Sequence, residues 1–186
     1  MRKNLGAKPY VYPQVVLIVA AYDEAGTPNA MNAAYGGVAG SNKIFLCLSA
    51  NHKTVKNIQA KGAFTVSVGD EAHMAECDYV GVASGNNVPN KLEKCGFHTE
   101  KSEFVDAPVI QELPLALECK LISYDPDTHY MFGEIVNVSV DEKAVTPEGA
   151  LDVAKLAPIT YDNANKAYLA LGQKVGDAFS DGKKFQ

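Results

Sequence analysis

The order of hydrophobic and polar residues along the chain predicts a protein made mainly of β-strands. The residues from Val15 to Ala21 are all apolar and are followed at once by Tyr22-Asp23, which is typical of a buried strand. Such a run is too short to cross a membrane. With the flanking residues, the pattern predicts four strands in the first half of the chain: Gln14–Tyr22, Asn29–Tyr35 (stopped by Gly36-Gly37), Lys43–Leu48 and Ala63–Val68.

Two segments in the second half alternate between apolar and polar residues. Between Leu117 and Leu121, the leucines and Cys119 share one face, while Glu118 and Lys120 occupy the other. Between Val136 and Val140, three valines alternate with polar residues. Each segment predicts a strand with one buried face and one polar face.

Helical patterns are fewer and shorter. His52–Lys61 has Asn51 before it as an N-cap residue and Gly62 after it at the C′ position. Asn90–Cys95 and Pro147–Leu156 predict two further helices. Many strands with few helices predict a mainly β fold, a barrel or a sandwich, and the 186 residues fit a single domain over 1–186.

Composition narrows the classes of function. Hydrophobic residues make up 47% of the chain and charged residues 21%, with a net charge of -5, so we expect a folded globular protein. The absence of a Lys/Arg-rich run argues against nucleic-acid binding. No targeting segment is visible, so we expect a cytoplasmic protein whose four cysteines are free thiols.

The segment from Ser49 to Thr54 joins a predicted strand to a predicted helix. The first N–H groups of a helix have no acceptor within the helix, so a helix start favours anions. Lys53 adds a charge, Thr54 a hydroxyl group and His52 a further donor. The segment therefore predicts a phosphate site, although it also fits a surface helix in which Asn51 is the cap and Lys53 is solvated.

The segment from Asn29 to Ala34 combines small residues with two amides. Its three alanines would let a ligand ring lie close to the backbone, and Asn29 and Asn32 offer polar groups to it. Asparagine is depleted in strands, so two of them favour a binding role, although a polar turn would also account for them.

Several motifs, in this order and spacing, resemble those of one known family. They are Thr27 to Gly37, Leu48 to Thr54, Asn57-Ile58 followed by Gly62 to Val66, and the stretch from Tyr168 to Lys183. Together they resemble the flavin-reductase-like FMN-binding split barrels, and most closely the flavoredoxin-like branch. Tyr35 stands where relatives often carry Trp, and Ala50 where many carry a basic residue.

The resemblance implies a Greek-key split barrel that forms a homodimer with FMN at the subunit interface. It places Asn29–Ala33 along the isoalloxazine ring and the start of the helix around the phosphate, with the stretch Gly81–Lys91 completing the site. The implied cofactor-binding residues are Asn29, Ala30, Met31, Asn32, Ala33, Leu48, Ser49, His52, Lys53, Thr54, Ser84, Gly85 and Lys91. Residues available for the dimer interface are Tyr35, Tyr161, Tyr168, Leu169, Leu171 and Phe179.

Three functions are compatible with such a flavin site. The first is an oxidoreductase in which NAD(P)H transfers hydride to bound FMN. The second is a flavoredoxin-type protein that passes electrons between protein partners, and the third is a flavin-binding scaffold without turnover. No side chain stands out as an acid or base, and hydride transfer to a flavin does not require one.

A zinc site built from His73, Cys77, Cys95 and His98 is a weaker alternative, because the pairs lack a Cys-x-x-Cys spacing.

Overall fold

The computed structural model describes residues 1–186 and contains eleven strands and four α-helices. The strands are β1 Leu17–Tyr22, β2 Pro28–Ala33, β3 Gly36–Gly40, β4 Lys43–Cys47, β5 Ala63–Val68, β6 Thr99–Lys101, β7 Pro108–Ile110, β8 Leu115–Asp125, β9 Tyr130–Val140, β10 Ile159–Asp162 and β11 Ala167–Ala170. The helices are α1 Lys53–Lys61, α2 Met74–Val82, α3 Lys91–Lys94 and α4 Val153–Leu156, with two short 3₁₀ helices at Glu142–Ala144 and Asp181–Phe185.

Seven strands form one antiparallel sheet in the order β2-β1-β5-β8-β9-β4-β3. Its two edge strands, β2 and β3, are consecutive in the chain and are separated only by Ala34 and Tyr35. Two linking residues span at most about 11 Å from one strand to the next. The sheet must therefore curl until its edges meet at Tyr35, which gives a barrel that is split between β2 and β3.

Strand β1 is buried on both faces, which explains its continuous apolar sequence. Leu17, Val19 and Ala21 face the barrel interior, in a core cluster that also contains Phe64. The alternate residues, Val16, Ile18 and Ala20, face a second cluster formed with α2, α3 and β7. The predicted buried strand is confirmed, although its regular part begins at Leu17 rather than at Gln14.

Helix α1 closes one end of the barrel. Val55 and Ile58 form its buried stripe and join the interior cluster, and Gly62 ends the helix in the left-handed conformation at φ 68. The helix and its Gly62 stop are therefore as predicted. The predicted cap is wrong: His52, not Asn51, is the N-cap residue, and its side chain caps no N–H group.

The second half of the chain departs from the predicted patterns at two strands. Glu118, expected on a polar face, is buried, and it accepts hydrogen bonds from the Ser102 hydroxyl and from Asn137 Nδ2. A register shift between Glu118 and Cys119 breaks the simple alternation of β8. In β9, Val138 and Val140 are exposed instead of buried.

Other departures concern element bounds. The helix predicted over Pro147–Leu156 is reduced to the four residues of α4. Gly36 and Gly37 were predicted to stop the preceding strand, but they begin β3. Helix α2 was not predicted from the sequence patterns. The longest helices, α1 and α2, have nine residues each. No helix of the structure has the length and apolar character needed to cross a bilayer.

Candidate functional site

A cavity of about 130 Å³ lies where β2, the start of α1, the end of α2 and the start of α3 meet. It is lined by Asn29, Met31, His52, Lys53, Thr54, Val80, Gly81, Val82, Ala83, Ser84, Gly85 and Lys91. The lining contains two lysines and no carboxylate, in a protein whose net charge is -5. The residues that line the cavity therefore include positively charged side chains and no negatively charged one.

The N-terminus of α1 contributes to this charge. The N–H groups of its first turn have no acceptor within the helix, and no side chain caps them. Lys53, the first residue of the helix, is held by an ion pair in which its Nζ lies 3.1 Å from Asp23 Oδ2. Asp23 is itself fixed because it accepts hydrogen bonds from the backbone N–H groups of Ala25 and Thr27. An uncapped helix start beside an anchored lysine is a favourable environment for an anion.

Lys91 lies on the other side of the cavity and is only 2% exposed. Its ammonium group donates to the backbone carbonyls of Val80 and Ala83, each at 2.8 Å, at the C-terminal end of α2. An ammonium group has three N–H donors, so one remains for a ligand. Burial lowers the pKa of Lys91 to about 8, which leaves it mostly charged at neutral pH.

Asn29 and Thr54 form a buried pair at the floor of the cavity. Asn29 Nδ2 donates to Thr54 Oγ1 at 2.6 Å, and the two residues are 3% and 1% exposed. Asn29 Oδ1 is buried without a hydrogen-bond partner. The oxygen faces Gly85, where a Cβ atom would overlap the amide group. Glycine at position 85 therefore lets the loop after α2 close over Asn29.

Gly81, four residues before Gly85, likewise allows a close approach to an asparagine side chain. A Cβ at Gly81 would lie 2.9 Å from Cβ of Asn32, so glycine allows α2 to pack directly on β2. Asn32 Nδ2 donates to the carbonyl of Cys77 at 3.0 Å and fastens the two elements together. The wall of the cavity is therefore set by two close approaches between glycine and asparagine.

His52 stands at the rim, with its Nδ1 3.3 Å from the sulfur of Met31. Its pKa is lowered, first by partial burial and then by the positive charges of Lys91 and His129. The ring is therefore neutral at neutral pH, and it offers a hydrogen bond rather than a charge.

The structure brings eight of the thirteen sequence-predicted site residues to this cavity: Asn29, Met31, His52, Lys53, Thr54, Ser84, Gly85 and Lys91. The other five, Ala30, Asn32, Ala33, Leu48 and Ser49, do not line it. Side chains of β2 alternate between faces, so Ala30 joins the outer cluster and Ala33 the barrel interior. Leu48 belongs to the interior cluster as well.

Sequence reasoning did not name Val80, Gly81, Val82 or Ala83, although the last three fall in the stretch Gly81–Lys91. These four residues lie at the C-terminal end of α2 and line the cavity from there. That helix buries only Cys77 and Val80, so its apolar stripe is too short to be seen in the sequence.

The residues of the alternative zinc site are engaged elsewhere. His73 Nδ1 lies 2.9 Å from Asp70 Oδ1, and His98 Nδ1 lies 2.6 Å from Glu112 Oε1. No group of three or more His, Cys, Asp or Glu side chains is arranged to hold a metal ion. Burial raises the pKa of Cys77 to about 12, so this thiol is protonated and unreactive at neutral pH.

Comparison with known proteins agrees with the fold. A family model described as flavin reductase like domain matches residues 10–169. The flavoredoxin of Desulfovibrio vulgaris (Miyazaki F) is 36% identical, with a TM-score of 0.93 over 98% of this chain and 100% of that one. The flavoredoxin from Methanosarcina acetivorans is 24% identical, with a TM-score of 0.89 over 100% of both chains.

An uncharacterized protein of Aquifex aeolicus is 32% identical over 111 residues, which are 57% of this chain and 55% of that protein. This chain thus matches about half of the length of the Aquifex protein. The family model covers most of the chain, and the two flavoredoxin structures match nearly all of it. The chain belongs to the flavin reductase like domain family, and its fold is the split barrel of that family.

Proposed function

We propose that this chain is an FMN-binding oxidoreductase that accepts hydride from NAD(P)H. The observation that carries the proposal is the cavity, in which the uncapped start of α1, Lys53 and Lys91 surround a space without any carboxylate. A phosphate monoester is a dianion above pH about 6 and needs such a cluster of donors.

The residues fit the phosphate end of FMN. Lys53 and Lys91 would supply charge, Thr54 a hydroxyl group, and the first turn of α1 its backbone N–H groups. When bound, the flavin supplies the redox chemistry, while the protein binds, orients and shields it. At about 130 Å³ the cavity is smaller than the 300–1,000 Å³ usual for pockets that enclose a whole ligand of this size. The ring therefore needs a surface outside the cavity.

The phosphate assignment is tested by comparing FMN with riboflavin, which lacks the phosphate. We expect the wild type to bind FMN at least tenfold more tightly, because charge-assisted hydrogen bonds contribute about 1.5–3 kcal/mol each. Lys53→Ala should weaken FMN binding and leave riboflavin binding unchanged. Lys56→Ala is the matched control, because Lys56 is an exposed lysine in the same helix and does not line the cavity. Equal affinity of the wild type for both flavins would refute the assignment.

A second function is favoured by one specific observation. The flavoredoxin of Desulfovibrio vulgaris is 36% identical over nearly the whole chain. A flavoredoxin-type role, in which the chain passes electrons between protein partners, therefore stands beside the reductase role. Anaerobic mixing of FMN-loaded protein with NADH, NADPH or a reduced ferredoxin-type protein separates the two. Rapid bleaching by a nicotinamide supports the reductase, and bleaching only by the protein donor supports the electron carrier.

We also propose that the functional unit is a homodimer. Residues 171–186 are all exposed, and they include Leu171, Val175, Phe179 and Phe185. Tyr35 and Leu169 are about half exposed, whereas Tyr161 and Tyr168 already pack against the outer cluster of their own barrel. Large apolar side chains that the chain itself leaves in water are the usual material of a homodimer interface.

Sedimentation of charged variants tests the dimer. We expect Val175→Asp with Phe179→Asp to convert the protein to a monomer at micromolar concentration. Gln173→Asp with Ser180→Asp adds the same charge to the same segment and should leave the dimer intact. If the first pair sediments like the wild type, residues 171–186 do not hold the dimer together.

A further inference from the structure

Asp23 stands in the turn that joins β1 to β2, and the two oxygens of its carboxylate have different partners. Its Oδ1 accepts hydrogen bonds from the backbone N–H groups of Ala25 and Thr27, at 3.1 and 2.8 Å. Its Oδ2 lies 3.1 Å from Nζ of Lys53, one of the two lysines that line the cavity. The hydrogen bond from Thr27, and after it the contact with Lys53, hold the pKa of Asp23 below its ordinary value. The carboxylate is therefore charged at neutral pH, and the turn keeps it in place.

The two lysines of the cavity are held in different ways. Lys91 donates to two backbone carbonyls, which carry no net charge, so its positive charge is not neutralised by its partners. Lys53 is held by a carboxylate of equal and opposite charge. Asp23 does not line the cavity, but it contacts a residue that does. Half of the lysine charge at the cavity is therefore already paired when no ligand is bound.

We propose that Asp23 is a counter-ion that limits how tightly the site binds a phosphate group. It competes with the phosphate for the ammonium group of Lys53, and its negative charge repels the phosphate. This role rests on the proposed function, in which the cavity holds the phosphate of FMN. Removing the charge of Asp23 should therefore tighten the binding of FMN and leave riboflavin, which has no phosphate, unaffected.

The magnitudes indicate that repulsion outweighs the benefit of holding Lys53 still. An ammonium group can bond to two acceptors at once, which places a phosphate on Lys53 about 5–6 Å from the carboxylate. At that distance, the repulsion between one negative charge and a phosphate dianion weakens binding roughly four- to tenfold in water at physiological salt. The side chains of Lys53 and Asp23 are each 23% exposed, and the loss of so exposed an ion pair weakens an interaction at most about fivefold and usually less.

Asp23 has the opposite effect on the protein without a ligand. Lys53 is the first residue of α1, where the positive end of the helix dipole makes a cation unfavourable. The carboxylate of Asp23 offsets this charge and ties the turn between β1 and β2 to the helix. Asp23 therefore stabilises the empty protein while it weakens phosphate binding.

Asp23→Asn is the test, because asparagine keeps an oxygen that can accept the N–H groups of the turn but removes the charge. The affinities for FMN and riboflavin are measured by fluorescence quenching at low and at high ionic strength. We expect the ratio of FMN to riboflavin affinity to rise at least about threefold at low salt, and the gain to shrink at high salt. Thermal melts should show that the empty variant is less stable than the empty wild type.

Asp106→Asn is the matched control. The Oδ2 atom of Asp106 lies 3.5 Å from Nζ of Lys61, the last residue of α1, so this ion pair lies at the opposite end of the same helix. Neither residue lines the cavity. The control removes one negative charge from the protein, as the test variant does, and should leave the affinity ratio unchanged at both salt concentrations.

A double variant separates repulsion from the anchoring of Lys53. If Asp23 acted only by anchoring Lys53, Asp23→Asn would have no effect once Lys53 is replaced by alanine. The counter-ion role predicts that Lys53→Ala with Asp23→Asn has a higher affinity ratio than Lys53→Ala alone, because the phosphate no longer meets an unpaired carboxylate.

The outcomes distinguish the role of Asp23 from the proposed function. If the wild type binds neither flavin, or both equally, the proposed phosphate site fails. If the wild type prefers FMN, and a folded Asp23→Asn variant keeps or lowers that preference, the site stands and the counter-ion role of Asp23 is wrong.

Discussion

Gly85 lies so close to Asn29 that a Cβ on residue 85 would stand 2.9 Å from Cγ of Asn29 and closer still to Oδ1. The loop after α2 and strand β2 therefore meet without a side chain between them. This contact joins Ser84 and Gly85 to the buried pair of Asn29 and Thr54, and through that pair to the start of α1.

We predict that Gly85→Ala weakens FMN binding about tenfold while the protein stays folded. The added methyl group would push Asn29 away from Thr54 or lift the loop, and either change would disturb the cavity. Gly172→Ala, where nothing lies within 4 Å of the new Cβ, is the control. Isothermal titration with FMN would measure the effect, and wild-type affinity in Gly85→Ala would show that this contact does not shape the site.

The pH dependence of Lys91 should have opposite effects on stability and binding. Its pKa falls from the ordinary 10.5 to about 8 in the folded protein, through burial. Between these values the unfolded chain holds the proton and the folded chain does not, so the free energy of unfolding of the apoprotein should rise with pH over that window. FMN affinity should fall over the same window, because the ammonium charge is lost.

Urea titrations of apoprotein and FMN titrations at pH 7 and pH 9.5 would measure both trends. In Lys91→Met the group that titrates is gone, so the difference in FMN affinity between the two pH values should largely disappear. A variant that kept the wild-type pH dependence would assign the titration to another group.

We predict that Gly133→Ala destabilises the protein by about 1–3 kcal/mol. A Cβ at position 133 would lie 3.0 Å from Cε1 of Phe64 and closer still to Cζ, and Phe64 is fully buried in the barrel interior. Gly37→Ala, on β3 of the same sheet with no atom within 4 Å, should change stability by less than about 0.5 kcal/mol. Chemical denaturation would compare them, and adding Phe64→Leu should recover part of the loss.

The cysteines should not take part in electron transfer. Cys77 and Cys119 are fully buried, and burial raises the pKa of each thiol to about 12. A variant with all four cysteines replaced by alanine should lose stability, by roughly 1 kcal/mol for each buried site, and keep its rate of flavin reduction. Stopped-flow reduction of the flavin-loaded variant would check this, and a folded variant that no longer reduces its flavin would reveal a thiol step.

Sequence reasoning succeeded where a residue's role is local. Ala63–Val68 was predicted with the bounds that the structure has, because both of its ends carry clear signals: Gly62 before it and Gly69 after it. Gly62 likewise marked the end of α1. His52, Lys53 and Thr54 line the cavity because they stand at the start of α1, and the sequence displays that helix start.

The features that the sequence did not predict depend on contacts between distant parts of the chain. Glu118 looked like a surface residue because its burial is made possible by Ser102 and Asn137, which are 16 and 19 residues away. Helix α2 was missed because it buries too few apolar residues to show a period. Ala30, Asn32 and Ala33 do not line the cavity with Asn29 and Met31, because the side chains of a strand alternate between its two faces.

The edge strand β3 has a consequence for the behaviour of the protein in concentrated solution. Three of its five residues are glycine, and its pairing with β4 shifts register between Val38 and Gly40. A free strand edge is where foreign chains add to a sheet and fibres begin to grow, and a short, kinked edge with few side chains gives such growth little to build on. We therefore expect the open side of the barrel to be a poor template for the addition of a foreign strand.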